Sequence, residues 1–549
     1  MLPGFDPNQI TDLDGARQAI RLLLNLVEEL KSKNDALRQE VQSLRDENNR
    51  LRGEQGKPSV KPGKKQPPAD HSSEKERRRP QKWRKGSKVA KIKIDREETL
   101  TVDRDQLPAD AEFKGYESVV VQDIRVSTDN VRFLKEKFYS PSKRQTWLAE
   151  LPSGYQGQFG PNLRALVITL YYGAEMTEPK ILEFLGDFGE SISAGQLSNL
   201  LIKRQEAWQT EKDEIYRAGL ESSKWQHIDD TGTRVDGENQ HCHVVGNPLY
   251  TAYFTRPRKD RLTIIEILQN VTAAPLLLNE QTADWLDIFT VPRWAQRVIA
   301  GWPQQIYLSY AQLRKQIKTD LARLNEQQQA RIFEAAALTA WPQQTTWPMV
   351  SLLLSDDAPQ FREVTAEQAL CWVHEGRHYK KLTPYFDHHR RLLDDFQTKF
   401  WRFYHQLQQY RASPTPEQAT VLRAGFDTLF STVTGYEALD KRIAKTKAKK
   451  DKLLMVLRHP EIPLHNNPAE LGARRRVRKR DVSFGPRTAD GVQAWDTFMT
   501  LAATAKKLGV SFFAYVYDRV AGVKALPSLA DMIKQRSPAS HPVMATAGV

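Results

Sequence analysis

The stretch Trp225-Gln226-His227-Ile228-Asp229-Asp230-Thr231 and its counterpart Val350-Ser351-Leu352-Leu353-Leu354-Ser355-Asp356-Asp357 decide the architecture of this chain. Each is a short apolar run closed by two aspartates, which reads as a buried strand with acids at its end. Residues 241–245 and 250–254 read as two more strands, separated by the turn Gly246-Asn247-Pro248, so 225–254 is expected to hold three consecutive antiparallel strands. Side chains alternate along a strand. Asp229 and Asp356 therefore converge if their strands are neighbours, while Asp230 and Asp357 point to the opposite face. A third acidic segment, His465-Asn466-Asn467-Pro468-Ala469-Glu470, opens a helix. Two strand-end carboxylates and one helix-borne carboxylate are what phosphoryl transfer with two divalent cations needs, the ions lying about 3.5–4 Å apart among hard oxygen ligands. The same residues allow a plainer reading. A strand-end Asp often caps a turn or helix. With Asn467 as N-cap and Pro468 at N1, Glu470 falls at N3 and folds back onto the cap amide. A carboxylate so engaged cannot face a cation, so the two roles compete.

The helix after Glu470 carries Arg474, Arg475, Arg476, Arg478, Lys479 and Arg480, with Arg474 and Arg478 one and two turns beyond Glu470 on its face. Surface i,i+4 pairing would need fewer cations. Arg474, Arg475, Arg478, Lys479 and Arg480 are therefore candidate contacts to phosphates. The whole chain agrees in sign: 81 Lys and Arg against 67 Asp and Glu give +14, which favours a polyanion, here DNA. Cys242 and Cys371 are the only cysteines, which excludes a disulfide framework and a Cys-rich zinc module and suits a reducing cytosol. His241-Cys242-His243 and Cys371-x-x-His374 have spacings that could pair on a metal, but packed, satisfied side chains explain them better, so zinc is not expected. No signal peptide or membrane span is evident, and a cytoplasmic location is expected.

The rest of the 549 residues divides by pattern. Over 18–52, Leu23, Leu30, Leu37, Leu44 and Leu51 recur every seventh residue, with Ile20, Val27, Asn34, Val41 and Asn48 three before each. This predicts a parallel two-stranded coiled coil, Asn34 helping to fix its register, and hence a homodimer or higher assembly. Residues 53–92 form a basic linker in which Arg77, Arg78, Arg79 and Arg84 are candidate DNA contacts. Alternation over 92–94, 99–102, 119–124 and 131–138 predicts a small β-rich module at 91–152. Residues 160–218 read as helices, and the pair around Gly189-Glu190-Ser191 is a candidate helix-turn-helix for DNA. Helical insertions at 270–345 and 375–458 interrupt a core spanning 224–520, and 521–549 is a tail. The fold class is thus multidomain α+β.

At these residues the chain resembles the bacterial insertion-sequence transposases of the sixty-six type, whose large subunit is TnpC. The matching pieces are Ile228-Asp229-Asp230-Thr231 with Arg234-Val235, Ser355-Asp356 followed by Cys371-Trp372-Val373-His374-x-x-Arg377, and Ile462 to Glu470 with Arg474; Phe484-Gly485, Gly491, Thr504-Ala505-Lys506 and Ala514-Tyr515 also fit. The resemblance implies a ribonuclease-H-like core with catalytic and metal-binding residues Asp229, Asp356 and Glu470. It further implies two Mg²⁺ ions (Mn²⁺ as substitute), with His374, Arg377, His465 and Asn467 supporting the ligands. Strand cleavage and transfer at the terminal inverted repeats of a mobile element into target DNA would follow, with helper proteins of the same element as possible partners. The alternatives are a non-catalytic DNA-binding regulator and a nuclease that cuts without joining. The chain departs from the family pattern in three places: His465 where Asp is usual, no cysteines after the coil, and a long 270–345 segment.

Overall fold

A computed structural model describes residues 10, 12–51, 92–108, 110–124, 126–155 and 157–537. The chain is mostly helical, with small mixed sheets. It begins with one helix, Leu13–Leu51. An isolated hairpin follows, β1 (Lys137–Ser140) and β2 (Gln145–Leu148). The helices Pro161–Ile168, Glu178–Asp187, Ala194–Ile202 and Glu206–Glu221 then lead into the central sheet. Its first strands are β3 (Trp225–Val235), β4 (Glu238–Gly246) and β5 (Thr251–Arg256). The 270–345 region is helical as expected, except for a small hairpin of β6 (Leu276–Leu278) and β7 (Ile306–Leu308). The sheet is completed by β8 (Leu352–Ser355) and β9 (Glu367–Leu370) in the order β5-β4-β3-β8-β9. The pairs β5-β4 and β4-β3 are antiparallel, and β3-β8 and β8-β9 are parallel.

Alternation along these strands builds the cores. Ile228, Val245, Ala252, Phe254 and Leu353 face one cluster that includes Ile215, Ile264 and Ala336. Cys242, Val244 and Tyr253 face the other way, against Tyr172, Leu197, Trp495 and Phe498. Trp225, Leu352, Leu354 and Ala369 meet a third cluster, contributed by the helices between Trp372 and Leu457. Helices therefore cover both faces, which suits strands as apolar as β5 and β8.

Two expectations need correction. The alternating segments at 92–94, 99–102 and 119–124 form no strands, and only the end of 131–138 does so, in β1. Leu100, Val121 and Ile124 stay 82–85 % exposed. A strand needs a neighbour for its N–H and C=O groups, and only β1 acquires one locally, through the turn at 141–144. Next, β3 does not end at Asp229. Its parallel pairing with β8 stops at His227, whereas its antiparallel pairing with β4 continues to Val235. The Leu13–Leu51 helix, expected as a coiled coil, also makes contacts within its own chain. Asn25 bonds Gly435 O and the Glu437 amide at 3.0 Å each, and the Glu28 carboxylate meets His389 at 3.3 Å. Leu23, Leu30, Leu37 and Leu44 remain 41–60 % exposed on this helix. Arg77, Arg78, Arg79 and Arg84 lie outside the described residues, and so does most of the 53–92 linker. No helix among the described residues is long and apolar enough to cross a membrane.

Candidate active site

Register brings the two aspartates together. The last parallel pair is His227 with Leu354. Asp229 and Asp356 each lie two residues beyond it, at the same level of neighbouring strands and with matching side-chain parity. Asp229 Oδ1 accepts from the Asp230 amide at 2.9 Å. Asp230 is drawn off by Gln360 (2.6 Å) and Lys259 (3.9 Å). Asp357 pairs with Arg362 and Lys449 at 3.0 and 2.8 Å. Of each aspartate pair, one member is thus tied into a structural contact.

Glu470 comes from the helix Asn467–Ser483. That helix approaches the sheet closely because residue 472 is glycine. A Cβ there would stand 2.7 Å from Val244 Cγ1, and Tyr253 donates to the Gly472 carbonyl at 3.3 Å. At the far end Phe484 takes a left-handed conformation, and Gly485 packs against the Arg234 carbonyl. The N-cap is Asn466, one residue earlier than the sequence suggests, and it makes no side-chain cap bond. Glu470 therefore falls at N4, the capping box does not form, and the carboxylate receives both Arg377 nitrogens at 2.8 and 3.2 Å.

Asn466 is the residue that sequence reasoning missed. It is buried; its Nδ2 donates to Ile228 O at 2.7 Å, and its Oδ1 stands 2.8 Å from His227 Nδ1. Its amide donates to Cys371 Sγ at 3.3 Å, the same sulfur that caps the helix Trp372–Lys380 by accepting from the His374 amide. Through its side chain and its backbone amide, this one residue ties the strand of Asp229, the helix of His374 and Arg377, and the helix of Glu470. Burial drives His227 down to about 3, so it is neutral and can donate to Asn466. Burial also pushes the Cys371 thiol up to about 12, which suits a structural cysteine rather than a thiolate ligand. The only sequence signal was the doubled asparagine, which does not say which of the two caps.

Asp229, Asp356, Glu470, His374, Arg377, Asn466 and Arg474 line one cavity of about 260 Å³. Burial, then the Asp356 carboxylate, raise Asp229 to about 7, with a smaller push from Glu470. Burial disfavours the Arg377 charge, yet Glu470 holds its guanidinium above the ordinary value. His374 Nε2 stands 4.0 Å from Asp356. The donors suit a hard divalent cation in kind, and their mutual repulsion is what such a cation relieves. In spacing they are not drawn together. Among the described residues no three His, Cys, Asp or Glu side chains are grouped to hold one ion. Glu470 would have to exchange Arg377 for a cation.

The basic helix splits by face. Arg474 and Arg478 are exposed, and Arg474 borders the cavity. Arg475 instead bonds Glu175 at 3.0 Å and Tyr172 O at 2.8 Å. Lys479 is buried, donating to Tyr171 O at 2.6 Å, and burial lowers it to about 7. Arg480 donates to Gly232 O at 2.6 Å. Arg475, Lys479 and Arg480 thus fasten the helix to its own chain, and Lys479 cannot reach a phosphate. His465 is half-buried and Asn467 buried at the start of the helix. His243 Nε2 meets Arg258 O at 3.2 Å.

A model of the Transposase IS66 family matches residues 340–494, an interval that holds Asp356, His374, Arg377 and Glu470 and begins after Asp229. An uncharacterized protein of Sinorhizobium fredii, y4jO, is 33 % identical over 307 residues, which cover 56 % of this chain and 94 % of that protein. With the aspartates at one level of a mixed sheet and Glu470 facing the same cavity, these likenesses lead to one conclusion: the chain belongs to the IS66 family of transposases.

Proposed function

We propose that this protein is a DNA transposase that cuts strands at the ends of a mobile element and joins the freed 3′ ends to target DNA. One observation carries the reading: carboxylates from β3, from the end of β8 and from the Asn467–Ser483 helix border a single cavity. The sheet order, three antiparallel strands followed by two parallel ones, supports a ribonuclease-H-like core. Asp229, Asp356 and Glu470 would hold two Mg²⁺ ions, with Mn²⁺ as substitute. When bound, these ions supply an activated water or 3′-hydroxyl and a stabilised leaving oxygen. Asn466 keeps the three segments in register. Arg377 neutralises Glu470 until the carboxylate turns to its ligand role, and Arg474 beside the cavity is placed for a phosphate. The exposed Leu23–Leu44 seam would dimerise the chain, and the Glu178–Asp187 and Ala194–Ile202 helices would read the element ends.

A DNA-binding protein without chemistry is the second reading, favoured by the Glu470–Arg377 pair. Cleavage of a labelled element-end duplex with Mg²⁺ separates the two. The transposase reading expects cutting by wild type and none by Glu470→Gln, with end binding retained. Equal cutting by both proteins would remove Glu470 from the site. Tight binding without any cutting would favour the second reading.

A further inference from the structure

The carboxylate cavity adjoins a larger cleft of about 790 Å³, and Asp356 and His374 line both. The far wall of this cleft belongs to the second insertion. Arg442 and Lys445 lie there on the helix Glu437–Lys447, Lys452 on the helix Lys450–Leu453, and Lys449 in the turn between the two. All four line this cleft, although the helix breaks between Lys445 and Lys452. Arg362 adds a fifth from the turn after β8.

Their partners are of two kinds. Glu375, buried beneath the wall, accepts from Arg442 and from Lys449 (3.0 Å). It cannot leave, so it fixes these two head groups. Asp357 holds Lys449 at 2.8 Å and Arg362 at 3.0 Å, and Glu363 holds Lys452 at 3.2 Å. Both of these carboxylates are on the cleft surface, with Asp356 and the exposed Asp451. Without a ligand the lining is therefore close to charge balance. Asp357 and Glu363 occupy Arg362, Lys449 and Lys452, and a run of phosphates can replace them without moving the wall. Arg forks and Lys ammonium groups are suited to that exchange.

We propose that this cleft binds the phosphodiester backbone of DNA, holding the strand that leads into the carboxylate cavity. The proposal rests on the reading of that cavity as a phosphoryl-transfer centre. The insertion would then be part of the substrate track and not a spacer.

The test is fluorescence anisotropy with a 30-base-pair fluorescein-labelled duplex of arbitrary sequence, in EDTA, across 50–200 mM salt. Each lost phosphate contact lowers the slope of log affinity against log salt by about 0.9. Lys445→Gln with Lys452→Gln should flatten the slope by about 2 and weaken binding roughly 10- to 60-fold at 0.1 M salt. The exposed Asp451→Lys should steepen it by about 1. Lys315→Gln with Lys318→Gln, on the Tyr310–Asp320 helix away from the cleft, should change nothing. An unchanged slope in the Lys445/Lys452 protein, or in Asp451→Lys, overturns the proposal, as does a wild type that binds no duplex. The Glu470→Gln cleavage assay fails separately. A wild type that cuts while the slopes stay fixed discards the cleft alone. Slopes that move as expected without any cutting keep the cleft as a DNA site and discard the catalytic reading.

Discussion

Replacing Asp229 by Asn probes the electrostatics of the cavity directly. Burial and the Asp356 carboxylate raise Asp229 to about 7, from an ordinary value of about 3.9. The folded chain therefore keeps a proton that the unfolded chain releases between these two values. That contribution to stability is complete below about pH 4 and is lost as pH rises through about 7. A shift of about three units corresponds to roughly 4 kcal/mol. Asp229 keeps some access to water, and its neighbours can relax, so about 2–3 kcal/mol is the expected size. In Asp229→Asn the oxygen that accepts from the Asp230 amide is kept and the charge is gone. In EDTA the substitution should stabilise the core by about 2–3 kcal/mol at pH 8 and by less than about 1 kcal/mol at pH 4.5. Urea unfolding followed by tryptophan fluorescence at the two pH values measures this. A gain independent of pH, or larger in acid, would refute the assignment of the strain to the buried Asp229 charge beside Asp356. Mg²⁺ at pH 8 should stabilise wild type and leave Asp229→Asn little changed.

Other substitutions separate structural from functional roles. Asn466→Ala strands the Ile228 carbonyl and His227, and should cost about 2–4 kcal/mol; hydrogen exchange should rise at β3 and at the start of the Asn467–Ser483 helix, and protection equal to wild type would sink the positioning role. Lys479→Gln should lower the melting temperature and leave the salt dependence of DNA binding untouched, whereas Arg478→Gln should do the reverse, flattening the slope by about 0.9. Leu30→Asp with Leu37→Asp should give monomers in sedimentation without loss of fold, because both side chains are exposed on the helix; a dimer that survives would put the self-association elsewhere.

What could be read from the chain alone was local or periodic. Apolar runs gave the strands around Asp229 and Asp356, but each aspartate had an adjacent rival that the sequence did not exclude, and Asp230 lines the cavity with Asp229. Helical spacing gave the two insertions and the helix that bears Glu470. The β-module reading failed because alternation states a preference and cannot supply a partner strand. The role of Glu470 was ambiguous in sequence: with Asn467 as N-cap it sits in a capping box, and otherwise it can face a cation. Tertiary contact chose between them: Ile228 O and His227 take the Asn466 side chain, the helix starts there, and Glu470 turns to Arg377. The same holds for the basic run. Six cations in sequence look alike, yet packing against Tyr171, Tyr172 and Glu175 consumes Lys479 and Arg475 and leaves Arg474 and Arg478 at the surface. Sequence thus determined which residues carry charge and with what period. Only the fold decided which of those charges face solvent, since burial and pairing are set by segments hundreds of residues away.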